Sequence, residues 1–179
     1  PMYFFLGNLS LLEIFYVSVT VPKLLPNLLL GEKAISLEGC MAQLYFFLSL
    51  ASSECFLLAA MAYDRYLAIC HPLRYPVPYE SLSLGSWLSG FLASFPSILM
   101  LSRLQFCSDN TIQNFFCDLP PLLKLSCTDT STIETLDFVA ALSVLVPSLL
   151  VTVTSYICIF STVARIPSVV GKHKAFSTC

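Results

Sequence analysis

The side chains with chemical reach in this chain are few, and they are charges set in apolar surroundings. Asp64 and Arg65 stand within Met61-Ala62-Tyr63-Asp64-Arg65-Tyr66-Leu67-Ala68-Ile69-Cys70, at the end of a long apolar run. Glu54 interrupts the same run, and Glu13 interrupts the one before it. A charge at bilayer depth costs a few kcal/mol and persists where it pairs, reaches the interface or carries a function. Arg65 near a helix C-terminus is favoured by the macrodipole. It either snorkels to the headgroups or is held by Asp64 until helices part and its five donors become free. Glu13 and Glu54 fall at similar depth, and two carboxylates in a dry bundle cannot both ionise cheaply. They either share a proton as a plain interhelical link or hold a cation such as sodium.

Helical geometry relates these groups. At about 100° per residue, Arg65, Glu54 and Phe47 lie within about 20° of one helix face. That face must look into a bundle, because lipid cannot solvate charge. No catalytic set accompanies them. The chain has no HExxH, no GxSxG and no phosphate-binding glycine loop, and both histidines, His71 and His173, fall in loops. Neither an enzyme nor a cofactor is expected. Asn8-Leu9-Ser10 has the form of a glycosylation sequon, but at the cytoplasmic end of its run it reads as a chance match.

The elements that position these residues are legible from composition. Of 179 residues, 56% are hydrophobic and only 11% charged, against about 25% charged in soluble domains. Sustained apolar runs make this an all-α membrane protein, since about 20 apolar residues span the hydrocarbon core. The spans are placed at 2–30, 37–69, 82–101 and 136–164, with another opening at 175–179. Pro1 already lies in an apolar run and the chain stops as a new one opens, so a larger bundle is expected. A net charge of −2 excludes a broad basic surface, and hence nucleic acid. Lys and Arg favour the Arg65 side by five to four, a slight positive-inside bias. Cys40, Cys107, Cys117 and Cys127 all fall on the opposite side, which suits two disulfides on an oxidising face. Four cysteines allow three pairings. Cys55, Cys70, Cys158 and Cys179 read as free thiols. The 102–134 loop is then extracellular and the Arg65 end cytoplasmic, in a multi-pass protein of the plasma membrane.

Several stretches together resemble the olfactory receptors, a branch of the rhodopsin-like G protein-coupled receptors. They are Pro1-Met2-Tyr3-Phe4-Phe5-Leu6-Gly7-Asn8-Leu9-Ser10, the Met61–Cys70 stretch continued through His71-Pro72-Leu73-Arg74-Tyr75, Ser155-Tyr156, and Lys174-Ala175-Phe176-Ser177-Thr178-Cys179. The resemblance covers essentially the whole chain. It implies a fragment of a seven-transmembrane helix bundle, helices 2 to 5, with disulfides Cys40–Cys117 and Cys107–Cys127. It implies that Asp64, Arg65 and Tyr66 govern engagement of a heterotrimeric G protein of the stimulatory, olfactory type. Tyr156 would be the inward tyrosine that helps hold the active state. Glu13 stands where the family usually has Asp, and Val170 where it often has an acid.

The same resemblance implies a small volatile odorant bound between the outer halves of the helices. The second span would contribute Leu44, Phe47, Leu48, Ala51, Ser52 and Cys55, and the fourth Ala140, Ala141, Val144 and Leu145. Each of these is also what ordinary interhelical packing would supply. Ser52 and Ser143 are the nearest hydroxyls for a polar odorant. Two other readings compete: an ion-coupled transporter or channel using Glu13 and Glu54, and a non-functional receptor fragment.

Overall fold

The computed structural model describes residues 2–30, 34–71, 78–104, 111–113, 119–123, 126–127 and 130–165. Among these residues, five helices and two short strands run in the order α1 (Met2–Leu30), β1 (Ala34–Ser36), α2 (Leu37–Cys70), α3 (Tyr79–Leu101), β2 (Thr111–Gln113), α4 (Leu119–Leu123) and α5 (Ser131–Ala164). Four are long and apolar enough to cross a membrane: α1 over Met2–Pro22, and α2, α3 and α5 over their whole lengths. The segment expected to open a further span, 175–179, lies outside the described residues.

Local chemistry sets the helix ends. Ser36 caps α2, its hydroxyl accepting from the Gly39 N–H at 3.3 Å, with Glu38 complementing the dipole in the first turn. At the far end the His71 N–H donates to the Leu67 carbonyl at 3.0 Å; Pro72 follows, and proline disfavours a helical residue before it. α3 and α5 begin earlier than the hydrophobic runs suggest, at Tyr79 and Ser131 rather than 82 and 136. The added turns carry Glu80 and Glu134, polar residues that read as loop but favour a helix N-terminus. The Thr130 hydroxyl donates to the Glu134 carboxylate at 3.2 Å.

α2 is the axis. It packs against α1, α3 and α5, most extensively against α3. Close approach there depends on Gly90. A Cβ on Gly90 would meet the Ser53 side chain and come within 2.6 Å of the Ser53 nitrogen and 2.8 Å of the Ser49 carbonyl. Small residues at such crossings let helix backbones approach in an apolar solvent. Several polar side chains within the helices are satisfied locally: Ser86, Ser94, Ser148 and Thr152 each donate to the carbonyl four residues back at 2.8–3.1 Å. Longer-range ties join helices. The Trp87 indole donates to the Asn8 side-chain oxygen at 3.1 Å, and the Tyr45 hydroxyl to the Phe91 carbonyl at 3.4 Å.

Two apolar clusters flank the axis. Phe5, Leu12, Leu50, Leu57 and Ala60 join α1 to α2. Cys40, Leu44, Leu101, Leu122 and Leu123 close the other end. There β1 and β2 pair antiparallel, Ala34 with Gln113, Ile35 with Ile112 and Ser36 with Thr111. Three-residue strands carry too little alternation to be read from sequence. This pairing and the buried Leu122 and Leu123 place β2 and α4 beside the start of α2. The outer face of α5 is left apolar and exposed, as at Phe138, Leu149, Ile157 and Phe160, as a lipid-facing surface should be.

Gly90→Leu should therefore break the α2–α3 contact at a cost of about 1–3 kcal/mol or more from overpacking. A lower thermal midpoint and reduced delivery to the cell surface are expected, with Gly90→Ala milder. A Gly90→Leu protein of unchanged midpoint would show that the close approach is not needed.

Candidate functional site

The faces of α2, α3 and α5 enclose a cavity of about 160 Å³. α2 contributes Leu48, Ala51, Ser52 and Cys55, which fall on one stripe at helical spacing. α5 contributes Ala140, Ala141, Val144 and Leu145 on a matching stripe. Eight of the ten residues singled out from sequence thus share one space. The other two lie elsewhere. Leu44 sits one turn above, buried in the cluster with Cys40 and Leu101. Phe47 turns toward α1 and meets the Tyr16 ring edge-on, with centroids 5.4 Å apart.

Four lining residues were not anticipated: Ala93, Ser94 and Ser97 of α3, and Asp137 of α5. A signal for them exists in the chain. Gly90, Ala93, Ser94 and Ser97 form a small-residue stripe at helical spacing, and Asp137 precedes Ala140, Ala141 and Val144 on one face. A second cavity, about 250 Å³, adjoins the first between α3 and α5. It shares Ser97, Asp137 and Ala140 with the first and has Leu119 of α4 in its wall. Ser143 lines only this second space, and its hydroxyl donates to the Ala140 carbonyl at 2.6 Å.

The two mid-span carboxylates are not enclosed together. α1 turns Phe5 and Leu12 inward, and Glu13, one position past Leu12, is exposed. Glu54 is half-buried on α2. Tyr16 lies within electrostatic reach of both. Among the described residues no group of three or more His, Cys, Asp or Glu is arranged to hold a metal.

At the opposite end of α2, Asp64 is buried, 2% exposed, and engaged by a neighbour, while Arg65 is half-buried. The Tyr66 hydroxyl and His71 Nε2 are 3.1 Å apart. Cys70 Sγ and Thr162 Oγ1, at 3.2 Å, link α2 to α5. Between the two helices lie a cavity of about 360 Å³ bounded by Tyr63, Tyr66 and Ser155, and another of about 310 Å³ bounded by Tyr66, Cys70 and Arg165. The inward stripe of α5 is Val144, Ser148, Ser155, Ile159 and Val163. Tyr156, the tyrosine expected to point inward, falls one position off that stripe and is 48% exposed.

The sequence model of the family described as "Olfactory receptor" matches residues 1–179. The chain belongs to the olfactory receptor family. It is 56% identical to Olfactory receptor 226 of Rattus norvegicus, 53% to Olfactory receptor 6B9 of Mus musculus and 52% to Olfactory receptor 6A2 of Homo sapiens. Each match covers 100% of this chain and 58% of the relative. The chain therefore spans somewhat more than half the length of these relatives. Olfactory receptors are G protein-coupled receptors, not enzymes, and the four long apolar helices are those of a multi-pass member of that class.

Within this olfactory receptor chain, Cys40 and Cys127 each take part in a disulfide, and Cys107 and Cys117 lie outside the described residues. Cys55, Cys70 and Cys158 are free thiols. Cys40 is fully buried at the start of α2, so its bond fastens the axis helix at the same end as the strand pair.

Because its ring packs on Tyr16, Phe47→Ala should act on stability. An edge-on aromatic pair contributes about 0.5–1.5 kcal/mol beyond its burial. A lowered thermal midpoint is expected, with ligand potency unchanged in the protein that reaches the surface. A loss of potency at an unchanged midpoint would place Phe47 in the ligand site instead.

Proposed function

We propose that this chain forms the ligand cavity and the transducing axis of an odorant-responsive G protein-coupled receptor. The observation that carries the reading is the position of α2. One helix lines the 160 Å³ cavity through Leu48 to Cys55 and carries Asp64, Arg65 and Tyr66 at its other end. The cavity is smaller than the roughly 300–1,000 Å³ of sites for drug-sized ligands. Its wall is mostly small apolar side chains with a few hydroxyls, which suits a small volatile molecule. Binding would shift a closed–open equilibrium in proportion to the ligand's preference for one state. Opening at the Arg65 end would free guanidinium donors for the incoming helix end of a stimulatory, olfactory-type heterotrimeric G protein.

In this reading the protein lies in the plasma membrane with the 102–134 segment extracellular and Arg65 cytoplasmic. Disulfides Cys40–Cys117 and Cys107–Cys127 hold that segment over the cavity. Tyr156, beside the inward Ser155, swings toward the axis in the open state. Glu54, with Glu13 across α1, is the candidate for sodium or proton sensitivity.

The test uses the complete receptor carrying these residues, expressed in cells and screened with an odorant panel for second-messenger output. Ala141→Phe puts a ring into the cavity and should raise the half-maximal odorant concentration by about ten-fold or more, a change of about 1.4 kcal/mol. Arg65→Ala should abolish the second-messenger rise while odorant still stabilises the purified protein against heat. Odorant responses indifferent to both substitutions would contradict the reading. Ion flux independent of G protein would favour a channel or transporter.

A further inference from the structure

Asp137 is the residue that the olfactory reading leaves without a role. Among the described residues lining the two outer cavities it is the only acid, and it lines both. It stands in the second turn of α5, on the same face as Ala140, Ala141 and Val144, so its carboxylate marks the outer end of the smaller cavity. Leu145, at the inner end, lies about 12 Å further along the helix by rise. The space is thus polar at one end and apolar along the rest.

The polar groups of the two cavities divide into bonded and open ones. The Ser94 hydroxyl donates to Gly90 and the Ser143 hydroxyl to Ala140. Among the described residues, no hydrogen bond or ion pair engages the Asp137 carboxylate or the Ser52 and Ser97 hydroxyls. Ser97 lines both cavities alongside Asp137. A carboxylate and a hydroxyl, both able to accept, thus face a space with no basic side chain in its described wall.

We infer that this cavity takes a small aliphatic amine, its ammonium held by Asp137 and Ser97 and its hydrocarbon body lying along Ala51, Val144 and Leu145 toward Cys55. The inference rests on the olfactory reading and names the ligand class of the same site. An ammonium offers three donors and no acceptor, which matches an acceptor-only carboxylate and a hydroxyl acceptor. A charge-assisted hydrogen bond is roughly twice as strong as a neutral one. A part-buried carboxylate also rejects like charge, so a carboxylic acid of the same length is excluded. An alcohol fits the apolar wall and can donate one bond to the carboxylate, but it brings no opposite charge and one donor in place of three.

The test compares hexylamine, hexanol and hexanoic acid on the complete receptor in cells, with surface expression measured for each variant. Hexylamine should act at a concentration at least about ten-fold below hexanol, and hexanoic acid should be inactive. Asp137→Asn should remove that advantage and leave the hexanol response in place, and Asp137→Glu should retain most of it. Ser97→Ala supplies a second variant if Asp137→Asn fails to reach the surface; it should weaken hexylamine several-fold and hexanol little. Equal potency of amine and alcohol, or an equal effect of Asp137→Asn on both, overturns the inference while the olfactory reading stands. A surface-expressed receptor that ignores all three probes but answers other odorants overturns it as well. Silence to the whole odorant panel ends both.

Discussion

The close approach of α3 to α2 at Gly90 is the constraint on which the rest of the structure depends. With hydrogen where any other residue carries a Cβ, the α3 backbone comes within van der Waals range of Ser49 and Ser53. That contact fixes the rotation and height of α3 along α2, and so places Ala93, Ser94 and Ser97, the next turns of the same stripe, opposite Leu48 to Cys55. α5 then closes the third side. In lipid no hydrophobic force drives helices together, so packing quality and polar links must do it. A glycine–serine contact supplies the first, and the Trp87–Asn8 and Tyr45–Phe91 hydrogen bonds supply the second.

Polar groups in this bundle fall into two kinds, and the difference separates scaffold from site. Ser86, Ser94, Ser148 and Thr152 spend their hydroxyl protons on their own helices, so they pack as small, nearly apolar residues. Ser52, Ser97 and Asp137 make no such bonds among the described residues and face the outer cavities. These three are half-buried, so a ligand's donors would replace water at them rather than break a bond within the bundle. At the Arg65 end, the Cys70 thiol and the Thr162 hydroxyl join α2 to α5 through side chains, a link that can part without breaking a helix.

Much of this was legible in the sequence because membrane helices announce themselves by length and apolarity. The four spans, the Arg65 end and eight cavity residues all follow from runs, helical angles and a family resemblance. What escaped did so for identifiable reasons. Asp137 lies one residue inside the 136–164 run, where hydropathy fades, although α5 starts six residues before it. The α3 wall was missed because serines and alanines in an uncharged span carry no chemical signal until a neighbour faces them. Angles on α2 alone could not say which flank of the Phe47 line looks to α1 and which to the cavity, and Tyr16 decided that. The β1–β2 pair was too short to read. Glu13 is exposed beside the buried Leu12, a rotation that position along a helix does not give.

The central claim is that α2 couples an outer cavity to the Arg65 end. Spin labels on α2 and α5 at the Arg65 end, at Ile69 and Ser161 in the complete receptor, test it most directly by their separation with and without a saturating odorant. The account predicts a longer separation with odorant, and no change when Ala141→Phe blocks the cavity. An odorant shown to bind while the separation stays the same would contradict it.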